Sequence, residues 1–356
     1  MLESYLHALM SELQAAREEH FTADNEVASV FFGGGTPSLL APERIEEVIG
    51  SIESLWPLAP DVEITVECNP EDLTDRWAAG CSSAGVNRLS IGCQSFDSQA
   101  LAALGRAHGV QANYSAVEAA RRGGFERISI DLIFACPGSD TDSILRSLET
   151  AAGLGVDHLS LYGYHLEKTA SGFGLPEYAP AGEDAYCRQY LAACKLIAQS
   201  DWLHYEISNW AKDGAAICRH NMLYWERKAY LGCGPSAHSF MPPGLRMWNP
   251  PELAAYLEAA GKEILSVRQS ERLSPGQVRF EQMLLGLRLA GGVDRDLVRS
   301  FNGHHTGEIL AELIESGLVR SAENGRVALT DKGFLLHDTI IERLTGTGRF
   351  ELDKKI

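Results

Sequence analysis

No two cysteines in this sequence stand closer than seven positions, so the Cys-x2-Cys spacing of zinc sites is absent. The eight cysteines, at 68, 81, 93, 136, 187, 194, 218 and 233, fall mostly inside strand-like or helical runs. That placement predicts buried free thiols in a reducing compartment rather than disulfides. A continuous apolar run of about twenty residues is also missing, which excludes an ordinary membrane-spanning helix. Met1 opens into an amphipathic segment rather than a signal peptide, so a cytoplasmic protein is expected. Positive charge is scarce: 31 Lys and Arg stand against 48 Asp and Glu, a net charge of -17. Such a field repels phosphate backbones, and no nucleic-acid partner is expected. There is no Gly-Lys-Ser/Thr phosphate loop, no spaced dinucleotide fingerprint, no internal repeat and no low-complexity linker. What remains is a chain of 356 residues, 45% hydrophobic and 22% charged, sized for one large domain and a smaller one.

The most informative stretch is Val30-Phe31-Phe32-Gly33-Gly34-Gly35-Thr36-Pro37-Ser38. An apolar run over Val27–Phe32 reads as a strand that ends abruptly in three glycines. Glycines strip side chains from the strand end, so another group can approach the bare backbone. Ser38 is expected to help cap a helix that begins near Pro42-Glu43.

Strands and helices then alternate. Strands are expected at Val27–Phe32, Glu63–Cys68, Arg88–Ile91, Ile128–Phe134 and His158–Tyr162. Helical spacing covers about 2–20, 43–55, 72–84, 98–104, 111–123 and 142–153. Repeated βα units of this length predict a parallel sheet, wound open or into a barrel, with ligands outside the carboxyl ends of the strands. Polar or glycine clusters at those ends (33–36, 67–70, 94–96, Asp131 with Pro137-Gly138, and 162–163) point to one shared site. A helix is expected over 183–199, followed by an aromatic-rich stretch, 205–210. Beyond 270 the chain reads as mostly helical. Gly317-Leu318-Val319 and Val327-Ala328-Leu329-Thr330, with a helix from Asp331, suggest a winged-helix-like end whose acidic surroundings favour packing over nucleic acid.

Several segments together resemble one family, the heme chaperone HemW, a radical S-adenosylmethionine (SAM) family close to oxygen-independent coproporphyrinogen III oxidase. They are Phe31–Ser38, Glu67-Cys68-Asn69-Pro70, 87–96, Leu104-Gly105-Arg106-x-His108 and Asp131-Leu132-Ile133 with Pro137-Gly138. His220-Asn221-x-x-Tyr224-Trp225, followed by Gly232-x-Gly234, favours the chaperone branch. The resemblance implies an α/β fold, a partial (β/α)6 radical-SAM barrel at 1–172. It also implies a family-specific region at 173–265 and a mostly helical, winged-helix-like domain at 266–356.

By position in the family's motifs, Gly34, Gly35 and Thr36 would border the methionine part of SAM. Glu67, Gln94, Arg106 and Asp131 would supply polar contacts, and Gly163 would lie against the ligand. The residue types suit that role: an ammonium and a ribose need acceptors, and a guanidinium can fork onto a carboxylate. His220 is the candidate axial ligand to heme, with Tyr224 and Trp225 as flanking rings; Cys218, His238 and His204 are its rivals. Heme would pass to an acceptor protein such as a respiratory enzyme, so a transient membrane-associated partner is expected.

The family's front differs. Its members begin with a strand and Cys-x3-Cys-x2-Cys, whose thiolates hold a [4Fe-4S] cluster, whereas residues 1–20 here already resemble the helix after that motif. As written, the chain is not expected to assemble the cluster or to cleave SAM, and no residue is expected to be catalytic or to ligate a resident metal. The uncharged run 27–32 reads as a strand flanked on both sides, so the first strand and the motif are expected upstream of Met1 in the same frame. Two other functions remain open at this level, the coproporphyrinogen oxidase itself and a cluster-free, non-catalytic binding paralogue.

Overall fold

In strand β4 (Arg127–Phe134) side chains alternate without a break. Ile128, Ile130, Leu132 and Phe134 are all at or below 2% exposure, while Ser129 and Asp131 face the other way. The computed structural model describes residues 1–19, 21, 25–164, 182–260, 268–301 and 304–346, so the boundaries expected at 172/173 and 265/266 lie outside the described residues. The chain forms two compact units, 1–204 with 208–220, and 205–207 with 221–356.

The first unit begins with helix α1 (Leu2–Glu19), strand β1 (Val27–Phe32), α2 (Pro42–Leu55) and β2 (Leu58–Cys68). It continues through α3 (Asp75–Ser83), β3 (Arg88–Gln94), α4 (Ser98–Ala103) and α5 (Val110–Arg122). After β4 come α6 (Thr141–Gly153), β5 (His158–Gly163), α7 (Glu183–Ile197) and β7 (Asn209–Ala211), while β6 (Leu203–Glu206) and α8 (Arg219–Trp225) each begin in this unit and end in the second. The seven-stranded sheet runs in the order β1-β2-β3-β4-β5-β7-β6 and curls into a half-barrel. β1 to β5 are parallel neighbours, as the alternation of elements requires; β7 joins β5 antiparallel. β1 is the edge strand, and all six of its residues are half-buried.

Register places laterally paired residues on one face. The outer face carries Ile64, Val66, Leu89, Ile91, Ile128, Ile130, Leu159 and Leu161, each at most 3% exposed beneath the helices. The inner face carries Ser29, Glu63, Thr65, Glu67, Arg88, Ser90, Ser129, Asp131, His158 and Ser160. The strands are therefore not apolar on both sides, as a doubly covered parallel sheet would be.

The helices start where the sequence signals them. Thr74, Asp97 and Asp140 cap α3, α4 and α6 through their side chains. Ser38 does not cap α2: Ala41 holds that position with Pro42 inside the first turn, and Ser38 bonds instead to Asp72.

The second unit holds β8 (His238–Met241), β9 (Leu245–Trp248), α9 (Leu253–Ala260) and β10 (Gln269–Arg272), whose strands form one antiparallel sheet. α10 (Pro275–Gly286), β11 (Val293–Asp294), α11 (Arg295–Arg299), α12 (His304–Glu315), β12 (Val319–Ser321), β13 (Arg326–Leu329), α13 (Asp331–Leu335) and α14 (His337–Thr345) complete it. The wing strands appear as β12 and β13, with β11 as a third strand that was too short to read from sequence.

Candidate functional site

At the carboxyl ends of the strands the glycine turn leaves the sheet. Gly34 and Gly35 have φ of +75° and +59°, conformations that side chains disfavour, and nothing lies near where their Cβ atoms would be. A Cβ on Gly33 would meet the Phe31 ring at 2.6 Å, so that glycine is needed for packing. The Gly34 N–H donates to Glu67 Oε2 at 3.1 Å. Burial raises the Glu67 carboxyl from its ordinary value, the Gly34 N–H lowers it, and the charge of Asp131 raises it again.

Asp131 stands on the same inner face, two strands away. Burial pushes its carboxyl up, against hydrogen bonds from Ser160, Ser90 and Ser129. The Ser90 hydroxyl lies 2.9 and 3.1 Å from its two oxygens, and Ser129 is at 3.5 Å. Ser129 also meets His158 Nδ1 at 2.7 Å, and burial drives that imidazole well below its ordinary pKa, so it is neutral.

Gln94 follows an irregularity in β3 and adopts φ +63°, with its side-chain amide beside Gly92. Asn113 of α5, wholly buried, donates to the carbonyls of Cys93 and Ser95 at 3.2 and 2.9 Å and so holds the chain on both sides of Gln94. Arg106 is exposed beyond α4, and its guanidinium has no partner among the described residues. Gly163 ends β5 under Tyr186 of α7, whose hydroxyl would be 2.2 Å from an added Cβ. Thr36 leads into the turn 37–39. Glu67, Gln94 and Gly163 sit at or next to the ends of their strands, and Gly34, Gly35, Thr36 and Arg106 in the loops beyond, whereas Asp131 lies within β4 and His220 in α8. Glu67, Gly34 and Asp131 are linked by a hydrogen bond or by charge. Sequence reasoning missed Ser90, Ser129, Ser160, Asn113 and Tyr186; the serines carried a signal, since each alternates with large apolar residues.

Deeper in the same face, Glu63 is wholly buried against Arg88, Nη1 to Oε2 3.3 Å. It accepts the backbone N–H groups of Arg219 and His220 at 3.3 and 3.0 Å, and Arg88 donates to the Ala216 carbonyl at 3.0 Å. The segment 216–220 is thereby fixed to the inner face. His220 stacks on Phe31 (centroids 4.6 Å apart, 17° between planes), and its Nδ1 is 3.0 Å from the Ser29 hydroxyl. Burial lowers its pKa from 6.5 to about 4, so it is neutral at pH 7. In the second unit, Arg288 lies over the Trp225 ring at 4.3 Å, and Tyr224 meets Tyr230 edge-on. Of the rivals, His204 stacks on Trp210, Cys218 is buried beside Glu63, and His238 is exposed with Nδ1 at 2.9 Å from the Ser236 carbonyl.

The residue types match what a small zwitterion with a ribose needs: bare backbone at Gly34 and Gly35, the Glu67 and Asp131 carboxylates, and the Arg106 guanidinium, which has no partner among the described residues. The cysteines of residues 1–356 do not fit an iron–sulfur cluster. None has the three-thiolate spacing, and burial pushes Cys81 and Cys136 up to about 12, which opposes thiolate formation. No helix among the described residues is long and apolar enough to cross a membrane.

The sequence profile of the Radical SAM superfamily matches residues 8–151. The heme chaperone HemW of Mycobacterium tuberculosis is 32% identical over 347 residues, covering 97% of this chain and 87% of its own. HemW of Bacillus subtilis is 31% identical over 356 residues, covering 97% and 92%. Coproporphyrinogen III oxidase (HemN) of Escherichia coli, a radical SAM enzyme, is similar in structure, with TM-score 0.81, 23% identity, and 96% and 83% coverage; it speaks for the fold. On the sequence likeness along nearly its whole length, the chain belongs to the HemW family of heme chaperones within the radical SAM superfamily.

Proposed function

We propose that this protein binds heme and passes it to an acceptor protein, with SAM held at the strand ends of its half-barrel. The observation that carries the SAM half is the cradle at β1 and β2, where two bare, left-handed glycines follow the strand and the Gly34 N–H donates to the Glu67 carboxylate. When bound, SAM supplies a sulfonium whose alkyl groups are activated for transfer or cleavage. Glu67 and the Gln94 carbonyl would accept from its ammonium, Arg106 would fork onto its carboxylate, and Asp131 would reach it through the serine-held inner face. Since the cysteines present do not fit the cluster, reductive cleavage forms no part of the proposal. Without chelation by a cluster, two lost contacts of roughly 1.5 kcal/mol each would weaken SAM binding more than a hundredfold, so calorimetry should show only weak binding. Sub-micromolar affinity would refute this account.

The heme half rests on the family and on the motif that begins at His220. As folded, His220 offers iron a neutral imidazole, but Ser29 and Phe31 already engage it. The test is heme titration followed by His220→Ala. A shifted or lost Soret band assigns iron to His220; an unchanged band moves the ligand to His238, the exposed rival, or to Cys218 or His204. Transfer is read by adding an apo-hemoprotein and following the appearance of its holo spectrum. Absence of both saturable heme binding and transfer would overturn the chaperone reading for this chain.

A further inference from the structure

The connection after β2, residues 69–74, holds both neighbouring strand-end loops. The Ser38 hydroxyl, just past the glycine turn, donates to Asp72 Oδ2 at 2.6 Å and accepts the Asn69 N–H at 3.3 Å. On the other side, Glu71 Oε2 lies 3.0 Å from Nδ1 of His108. The His108 side chain is only 1% exposed, although it stands two residues beyond the exposed Arg106. A carboxylate can only accept, so Nδ1 carries the proton of that bond. Nε2 is buried with no hydrogen-bond partner among the described residues.

An apolar side chain would fill this space without leaving a nitrogen unpaired, so burial alone does not explain an imidazole here. Its position along the chain does. Arg106 is tied on its N-terminal side to α4, through its N–H to the Leu101 carbonyl at 3.0 Å and the turn at Gly105, φ +66°. On its C-terminal side, His108 is the first side chain anchored in the interior.

We propose that Glu71 and His108 form a clasp that positions Arg106 for the carboxylate of its ligand. The inference deepens the SAM reading above and rests on it for the ligand's identity. His108 is a positioning residue and Arg106 the contact. The three strand-end loops thus brace one another across the connection after β2.

Two readouts test it, one without any ligand. Trypsin should cleave after Arg106 about tenfold faster in His108→Leu and in Glu71→Ala than in the wild type, because the loop then hangs from α4 alone. His108→Asn, whose amide puts a donor near the place of Nδ1, should restore slow cleavage. Glu71→Ala changes a side chain that is 41% exposed and keeps the experiment open if His108→Leu fails to fold. With ligands at millimolar concentration, saturation-transfer NMR should show SAM weakened about tenfold in Glu71→Ala. 5′-Methylthioadenosine, which lacks the carboxylate, should change less than twofold, and Arg106→Ala should abolish the distinction. Unchanged cleavage at Arg106 in a folded clasp variant overturns the proposal, as does equal weakening of both nucleosides. Faster cleavage in a protein that binds neither nucleoside leaves the clasp standing and overturns the SAM reading instead.

Discussion

The two faces of the half-barrel sheet are built on opposite rules. The outer face, from Ile64 to Leu161, is filled by volume: branched and aromatic side chains interlock with the helices, and none needs a directed partner. The inner face is filled by direction. Glu63 is held by Arg88 and two backbone N–H groups, and Asp131 by three serines, so each group has its place only while its partners keep theirs. The outer face can exchange one apolar group for another of similar size, whereas the inner face fails when one partner is removed. The proposed SAM contacts Glu67 and Gln94 lie at the rim of this sheet, at the carboxyl ends of β2 and β3.

The contrast should be largest at the buried ion pair. Arg88→Ala should cost about 4 kcal/mol in urea denaturation, because it strands the Glu63 carboxylate away from water. The double variant Glu63→Leu/Arg88→Met should recover most of that loss, since no unpaired charge remains. A double variant as unstable as the single one would show that the pair stabilises beyond its own neutralisation.

On the outer face, Leu132→Ala should cost about 3 kcal/mol through lost burial and a residual cavity. Leu132→Met should cost less than about 1.5 kcal/mol, as a change that conserves volume. Neither should alter the pH dependence of stability. A changed pH profile in Leu132→Ala would mean that the two faces are coupled through the strand.

An effect smaller than that of Leu132→Ala is expected of His220. Its pKa falls from 6.5 in the unfolded chain to about 4 in the fold. A group whose folded pKa is depressed gives stability that is present above pH 6.5 and lost as pH falls toward 4, because the unfolded chain then takes up the proton first. The loss should be about 2 kcal/mol, less than the full shift implies because the residue is partly exposed. His220→Gln should flatten the stability curve between pH 6.5 and pH 4. A curve of unchanged slope would show that His220 titrates normally and is not held by Ser29 and Phe31.

Much of this architecture was legible in the residues. The five parallel strands and the helices between them lie about where hydrophobic periodicity placed them, with β2 beginning earlier, at Leu58, and β3 running on to Gln94. The glycine run marked the strand end at which the cradle forms, because glycine adopts the left-handed φ values found at Gly34 and Gly35 at the least cost. The short strands β8 to β10 left no such trace: four residues carry too little alternation to stand out, and their pairing supplies the order that local sequence does not. Sequence also named Ser38 and His108 within motifs but could not tell their partners, since Asp72 and Glu71 lie 34 and 37 positions away.

Local sequence determined the elements, the polar strand ends and the family, since helix and strand periods, glycine conformations and motif spacing are properties of neighbours along the chain. Only the tertiary structure decided that the polar positions of the strands share one inner face, that His220 is docked on Ser29 and Phe31, and that His108 reaches Glu71. Those facts depend on register across strands and on loops meeting in space. A register shift of a single residue would have turned every polar side chain of the shifted strand to the other face.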